Sequence, residues 1–176
     1  GEIDINADIG SSNAADTFNI TLNSDVDDAN STGAIDIGGT IQTQGGNFVV
    51  NTLGSDATGA GINQSAGTIL TGAGNLDLDA GAGAIVLGGN NNIAGTITAA
   101  NSGGNAITIK NVNATTTTGA ISAAGNGAIN LTVEDMAIGA GISGGAITIT
   151  DNDDGGIALG AATDADGLNL TGTELG

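Results

Sequence analysis

Pairs of aliphatic residues separated by one residue recur along this chain, and they constrain its fold more than any other feature. The pairs are Ile3/Ile5, Ile20/Leu22, Ile35/Ile37, Leu76/Leu78, Ile85/Leu87, Ile107/Ile109, Ile129/Leu131, Ile147/Ile149, Ile157/Leu159 and Leu168/Leu170. From Ile85 the steps between pairs are 22, 22, 18 and 21 residues, ending at Leu168. Because alternation places both members of a pair on one face of a strand, each pair predicts a short strand.

Such short strands need neighbours, because a strand of about five residues cannot bury one face alone and must stack on copies of itself. Single aliphatic residues between the pairs would supply the second and third sides of each coil, namely Ile41, Ile62, Ile93, Ile97, Ile121, Ile138 and Ile142. The 33 glycines and the asparagines suit the corners, where positive φ is favourable for them. The sequence therefore predicts an all-β parallel β-helix (β-solenoid) with about 20 residues per coil, roughly eight or nine coils and almost no helix.

The organisation expected is one β-solenoid segment over residues 1–176, with less regular coils and loops over 1–65 and regular coils over 66–176. In the first part, "SDVDDANSTG" and "TLGSDATGAGINQSAG" are interpreted as loops outside the coil stack. The core must be filled mainly by Ile, Val, Leu and Ala, since the chain has two Phe and no Trp or Tyr. A β-sandwich would use larger core residues and turn prolines, and this chain has no proline.

Charge excludes several classes of partner. Nineteen acidic residues face a single cation, Lys110, which gives a net charge of −18. Nucleic acids require Lys and Arg to neutralise phosphates, and anionic membrane surfaces would repel the chain. Direct membrane insertion is not expected either, because no apolar run approaches the roughly 18 residues of a spanning helix. An elongated shape in a salty medium containing divalent cations would relieve the self-repulsion.

Three acidic clusters are candidate metal sites. They are Asp151, Asp153 and Asp154; Asp164 and Asp166; and Asp25, Asp27 and Asp28. Calcium takes six to eight oxygen ligands, and alternating Asp residues before glycine can bend around such an ion. The EF-hand pattern is only partly met, because its fifth position is Gly155 and its twelfth is Ala162. Two interpretations stay open for each cluster, a calcium site or a solvated acidic corner, and no cofactor is required.

Catalysis is not expected from the remaining acids. Asp4, Asp36, Asp77 and Asp79 occupy outward strand positions next to inward aliphatic residues, and a pair of carboxylates can hydrolyse glycosidic bonds. The chain has no His, Arg, Trp or Tyr to grip a sugar or to assist proton transfer. We therefore expect a non-enzymatic protein with a hydrated, cation-screened surface.

Six asparagines satisfy the Asn-X-Ser/Thr pattern for glycosylation, namely Asn19, Asn30, Asn63, Asn113, Asn130 and Asn169. Asn130 and Asn169 are expected to point outward from strands, where they could carry sugar. This modification matters only if the source of the chain glycosylates its surface proteins.

The phrases "GNLDLDAGAGAIVLGGNNNIAGTITAANSGGNAITI" and "GAISAAGNGAINLTVED" resemble the repeat shafts of filamentous-haemagglutinin-like adhesins and other large bacterial surface proteins, over residues 66–171. This resemblance of repeat style implies a right-handed parallel β-helix in a secreted, cell-attached fibre. The family's secretion domain has Asn-Pro motifs that find no counterpart in a chain without proline. Separately, "AITITDNDDGG" resembles the last strand and turn of a Calx-β domain, a calcium-binding β-sandwich, in that one strand alone.

These observations predict an extracellular or cell-surface structural protein, a β-solenoid subunit or shaft of a filament or adhesin. Its strand-like first and last segments, "GEIDIN" and "GLNLTGTELG", would favour head-to-tail self-association, because open strand edges recruit further strands. The alternative is a calcium- or glycan-binding β module of a surface adhesin, with host or matrix glycans as partners. Such a module would need a non-repeating surface, for which residues 1–65 are the candidate region.

Overall fold

The computed structural model of this chain is a stack of short parallel β-strands. It describes residues 1–13, 15–25, 33–52, 60–153 and 168–169, with the backbone alone at 60, 113, 168 and 169. The strands are β1 Ile3–Ile5, β2 Ile9–Gly10, β3 Ile20–Ser24, β4 Ile35–Ile37, β5 Ile41–Gln42, β6 Phe48–Thr52, β7 Ala60–Gln64, β8 Ile69–Gly72, β9 Leu76–Asp79, β10 Ala84–Ile93, β11 Thr96–Asn101, β12 Ile107–Ala123, β13 Ile129–Ile138, β14 Ile142–Ser143, β15 Ile147–Asp151 and β16 Leu168–Asn169. A 3-10 turn at Ala124–Asn126 is the one helical element in these ranges.

The strands form three sides of a coil, and all their pairings are parallel. Side 1 contains β1, β4, β7, the first parts of β10, β12 and β13, and β15. Side 2 contains β2, β5, β8 and the end of β10. Side 3 contains β3, β6, β9, β11, the last part of β12, and β14. This arrangement confirms the predicted parallel β-helix and the near absence of helix.

The inward row of side 1 measures the length of each coil. Its members are Cα partners from strand to strand, in the order Ile3, Ile35, Ile62, Ile85, Ile107, Ile129 and Ile147. They lie 32, 27, 23, 22, 22 and 18 residues apart in sequence. The three predicted steps from Ile85 to Ile147 are therefore confirmed. The described ranges hold seven rows, because the early coils are longer than the predicted length.

Two placements differ from the sequence-based expectation. Ile62 lies on side 1, although it was expected on the second or third side, and its strand β7 runs through a segment interpreted as a loop. Leu168 pairs with Met136 of β13 and does not continue the row beyond Ile147. The physical reason is that alternation reports which face of a strand is buried, whereas it does not report which side of the coil carries the strand. The pair Ile157/Leu159 lies outside the described residues.

The core is aliphatic, as predicted, and its one fully buried ring is that of Phe48. A row of polar side chains is also buried, which the sequence pattern does not predict. We call Gln64, Asn91 and Asn111 the buried amide ladder; these residues are 7%, 0% and 0% exposed. Buried amides are costly unless they are hydrogen-bonded, so their partners decide whether this row stabilises the stack.

Asn91 at the centre of the buried amide ladder is fully hydrogen-bonded. Its Oδ1 accepts hydrogen bonds from Gln64 Nε2 at 2.9 Å and from the backbone N–H of Ile69 at 2.8 Å. Its Nδ2 donates to Gln64 Oε1 at 3.1 Å and to the backbone carbonyl of Lys110 at 3.0 Å. One side chain thus joins three successive coils at the corner that leads into side 2.

Asn111 repeats this role one coil further along. Its Oδ1 accepts from the backbone N–H of Ile93 at 2.9 Å, and its Nδ2 donates to the Ile93 carbonyl at 3.0 Å. The same Nδ2 also donates to Thr116 Oγ1 at 2.9 Å. Asn91 and Asn111 are Cα partners, so the register of the strands aligns the two amides.

A second ladder of asparagines lies on the outside, at the corner before side 3. The Oδ1 atoms of Asn19, Asn47 and Asn75 accept backbone N–H groups of the next coil at 2.8, 2.9 and 2.9 Å. The preceding corner positions Gly46 and Gly74 approach the coil before them so closely that a Cβ atom at Gly74 would overlap the carbonyl of Gly46. Glycine is therefore required at this corner by space.

Candidate binding surfaces

The outward carboxylates predicted on the strands do face outward. Asp4, Asp77 and Asp79 are exposed and Asp36 is half-buried, each between inward aliphatic residues. Asp36 accepts hydrogen bonds from Asn63 Nδ2 at 2.6 Å and from Ser65 Oγ at 2.7 Å. Neutral donors from the neighbouring strand thus support this charge, although Asp4 is its Cα partner on the other side. Such a surface is favoured by screening from salt.

The candidate metal site at Asp151, Asp153 and Asp154 is only partly described. Asp151 ends β15 and is half-buried, and its Oδ1 accepts the backbone N–H of Asp153 at 3.1 Å. Asp154, Asp164 and Asp166 lie outside the described residues. Within the described ranges, no three potential His, Cys, Asp or Glu ligands come together. Calcium binding at this corner therefore stays a prediction. Because β15 pairs in parallel with β13, the Calx-β resemblance does not extend to a β-sandwich fold.

Asp25, the first member of the third acidic cluster, is buried and not part of a solvated corner. It is 4% exposed, follows β3 directly and has a φ of 51°. Its Oδ1 lies 3.7 Å from the amino group of Gly1, and neither carboxylate oxygen has a hydrogen-bond partner among the described residues. The other members of this cluster, Asp27 and Asp28, lie outside the described part of the chain.

The candidate glycosylation sites differ in their surroundings. Asn19 is exposed and uses its Oδ1 in the outer ladder, which leaves its Nδ2 unpaired within the described residues. Asn63 Nδ2 is bound to Asp36, and the outward Asn130 has a long contact of 3.5 Å from Nδ2 to Thr108 Oγ1. Only the backbone of Asn113 and Asn169 is described, in β12 and β16, and Asn30 lies outside the described ranges. Glycosylation at any of these positions stays a prediction.

A polar groove on the outside of side 2 is the concave feature that the sequence did not indicate. A depression of about 500 Å³ is lined by Gln42, Gln44, Gly45, Leu70, Gly72, Ala73 and Asn92. A second depression of about 210 Å³ is lined by Asp8, Ile9, Gly10, Ser11, Ser12, Thr40 and Gln42. The two share Gln42, and we refer to them together as the side 2 groove. Its amide residues follow ordinary strand alternation, so no signal in the sequence marks them.

Comparison with known proteins adds no functional information: no family model matches this chain, and neither a curated protein nor a solved structure does. Within the described residues, no helix has the length and apolar character needed to cross a membrane.

Calcium binding at the Asp151 corner can be measured by unfolding. If Asp151 and Asp153 hold the ion, calcium at about 100 times its Kd should stabilise the chain by about 2.7 kcal/mol. The double variant Asp151→Asn/Asp153→Asn should lose this stabilisation. Urea unfolding with calcium and with a chelator measures both.

The matched control for the calcium experiment is Asp77→Asn/Asp79→Asn, which removes the same charge from two exposed acids on β9. It should keep the calcium response. A wild-type chain whose stability is the same with calcium and with chelator would rule out the site. An equal response in both double variants would indicate general screening.

Proposed function

We propose that this chain is a non-enzymatic structural segment of an extracellular or cell-surface filament or adhesin shaft, and that it associates head to tail with further copies. The observation that carries the proposal is the state of the core at the two ends of the described stack. Partly buried hydrophobic residues that pack against the core all lie in the first coil or near the last one. They are Ile3, Ile9, Ile20 and Leu22 at one end, and Ile138, Ile142 and Ile149 at the other.

The inward row of side 1 makes the same point in numbers. Its inner members Ile35, Ile85, Ile107 and Ile129 are 0% exposed, whereas Ile147 in β15 is 45% exposed. In the described ranges β1 pairs with β4 alone, and β15 pairs with β13 alone. A free strand edge with exposed aliphatic side chains favours addition of another strand. A coil stacked on Ile147 would complete its burial.

The two ends fit each other better than either fits itself. Placing β1 of one copy on β15 of the next continues the parallel ladder, with Ile3 and Ile5 on the row of Ile147 and Ile149. The outward Asp4 then lies beside the neutral Thr148. Two first coils facing each other would bring their Asp4 carboxylates together, which is unfavourable. This contrast supports head-to-tail association.

The chemistry of the surface supports an extracellular location and a passive role. A net charge of −18 with one Lys is tolerated best where salt and divalent ions screen it. The chain has no His, Cys, Arg, Tyr or Trp, so the usual general bases and most activated nucleophiles are missing. Lys110, its one basic side chain, makes no ion pair within the described residues. Structural support is the function that this composition favours.

Head-to-tail association is tested by placing a charge on the free edge. Ile147→Lys should weaken association at least about 100-fold, because the ammonium group would be buried in an aliphatic row without a partner. Sedimentation velocity and negative-stain microscopy of the full chain in physiological salt measure the loss of long particles.

Val86→Lys is the control for this substitution. Val86 is also an exposed aliphatic residue, at 38%, but it faces outward in the middle of the stack. It makes the same change in net charge and should leave association intact. Short, monodisperse wild-type particles at high concentration would contradict the proposal, as would long fibres formed by Ile147→Lys.

A further inference from the structure

The side 2 groove crosses the first four coils along one outward row. Gly10, Gln42, Leu70 and Asn92 are successive Cα partners in β2, β5, β8 and β10. Adjacent strands lie about 4.8 Å apart, so Gln42 and Asn92 are separated by roughly 10 Å with Leu70 between them. Gly10 at the end of the row has no side chain, which deepens the groove there. An aliphatic surface is thus flanked by two amides.

The amides of this row are available to a ligand. Gln42 and Asn92 are half-buried, and neither side chain hydrogen-bonds to another described residue. Outward amides elsewhere on the stack find partners, as Asn51 does with Asn23 at 2.9 Å. Half-buried donors and acceptors without protein partners are the groups that a polar ligand satisfies with the largest gain.

The groove also has a fixed wall. Gln44 has a φ of 55°, its carbonyl accepts a hydrogen bond from Thr17 Oγ1 at 2.9 Å, and its Nε2 makes a long contact of 3.4 Å to the carbonyl of Ser11. These contacts join the first and second coils at the groove. Preorganised polar groups reduce the cost of ordering the site on binding.

Charge indicates which ligands fit. Asp8 is the one carboxylate lining the groove, and its Oδ1 already accepts the backbone N–H of Thr40 at 2.7 Å. A calcium ion would need several carboxylates, and an anionic ligand would meet the field of a chain that carries a net charge of −18. The remaining class is a neutral molecule rich in hydroxyl groups that also offers an apolar face.

We propose that the side 2 groove binds a neutral glycan, whose hydroxyl groups exchange hydrogen bonds with the Gln42 and Asn92 amides while its C–H face packs on Leu70. This activity is separate from head-to-tail association. No aromatic ring lines the groove, so binding by one copy is weak, with a Kd on the order of 1 mM. Copies repeated along a filament would raise the effective affinity by avidity.

The experiment is a titration of the ¹⁵N-labelled full chain, followed by NMR of the side-chain amides. The probes are cellohexaose, mannohexaose and chitohexaose, with oligogalacturonate as the anionic comparison. We expect at least one neutral oligosaccharide to give saturable shifts of the Gln42 and Asn92 NH₂ signals at a Kd near about 1 mM. Running the titration on Ile147→Lys as well separates binding from association, because the groove is remote from β15.

The variants locate the binding. Gln42→Ala/Asn92→Ala should weaken binding at least about tenfold, and Leu70→Ser, which keeps both amides, should also weaken it. Asn51→Ala/Asn130→Ala removes two outward amides on sides 3 and 1 and should bind as wild type. The proposal is overturned by no saturable shift up to about 10 mM of all three neutral oligosaccharides, by unchanged affinity of the groove variants, or by preference for oligogalacturonate.

Discussion

Gly74→Ala is expected to destabilise the stack by at least about 3 kcal/mol. The added Cβ atom would overlap the carbonyl of Gly46, and a backbone group that is held in a ladder cannot move aside as a side chain would. The φ of Gly74 lies outside the left-handed region, so the barrier is space and not backbone conformation. The midpoint and slope of urea unfolding, followed by far-UV circular dichroism, measure the loss.

Gly88→Ala is the control for this substitution. A Cβ atom at Gly88 would meet nothing within 4 Å, and this position also has no left-handed φ. We expect a change within about 0.5 kcal/mol, or a slight gain from the reduced freedom of the unfolded chain. Equal stability of the two alanine variants would show that the coils are not in the close contact described at Gly74.

Asn91→Ala should cost about 3 to 5 kcal/mol, because it empties the centre of the buried amide ladder. The substitution leaves the Gln64 amide, the Ile69 N–H and the Lys110 carbonyl without the partners they have now. Each unsatisfied buried group costs about 1 to 3 kcal/mol. Urea unfolding of the full chain measures this effect.

Asn91→Asp separates hydrogen bonding from packing in the same position. It keeps the shape, but it turns the donor that faces the Lys110 carbonyl into a second acceptor. Burial raises the pKa of the introduced carboxyl group, so the folded chain binds a proton more tightly than the unfolded chain and stability should rise as the pH falls. Asn130→Ala, on the outer face, should be nearly neutral. If Asn91→Asp were as stable as wild type at pH 7, the ladder would not be needed.

The fold was predictable because one periodicity dominates the sequence. Ile85, Ile107, Ile129 and Ile147 follow each other on one row, and their spacing in sequence is the spacing of the coils. Ile62 was misplaced because its companion two residues later is Gln64, so no aliphatic pair marks β7. Gln64 replaces an inward aliphatic side chain with a buried amide, and its partner Asn91 is 27 residues away in sequence. Such pairing depends on register, which composition does not report.

The candidate binding residues were less predictable than the fold. Charge patterns mark acids such as Asp151 and Asp36, yet they do not say which carboxylates are already hydrogen-bonded by neighbours. Asp25 looks like a member of a solvated acidic run, and it is buried because β3 carries it into the end of the first coil. The side 2 groove arises from Gly10, Gln42 and Asn92, which lie 32 and 50 residues apart and meet only through stacking.

The regular coils store a large amount of chain in a small axial length. Each 22-residue coil that starts at Ile85 or Ile107 adds one layer to the stack, which is about 4.8 Å of length. The same 22 residues pulled straight would span about 75 Å. Unwinding one coil therefore lengthens the molecule roughly fifteenfold over the layer it replaces. Under a pulling force, a shaft of this kind would extend stepwise by paying out coils before its covalent chain carried the load.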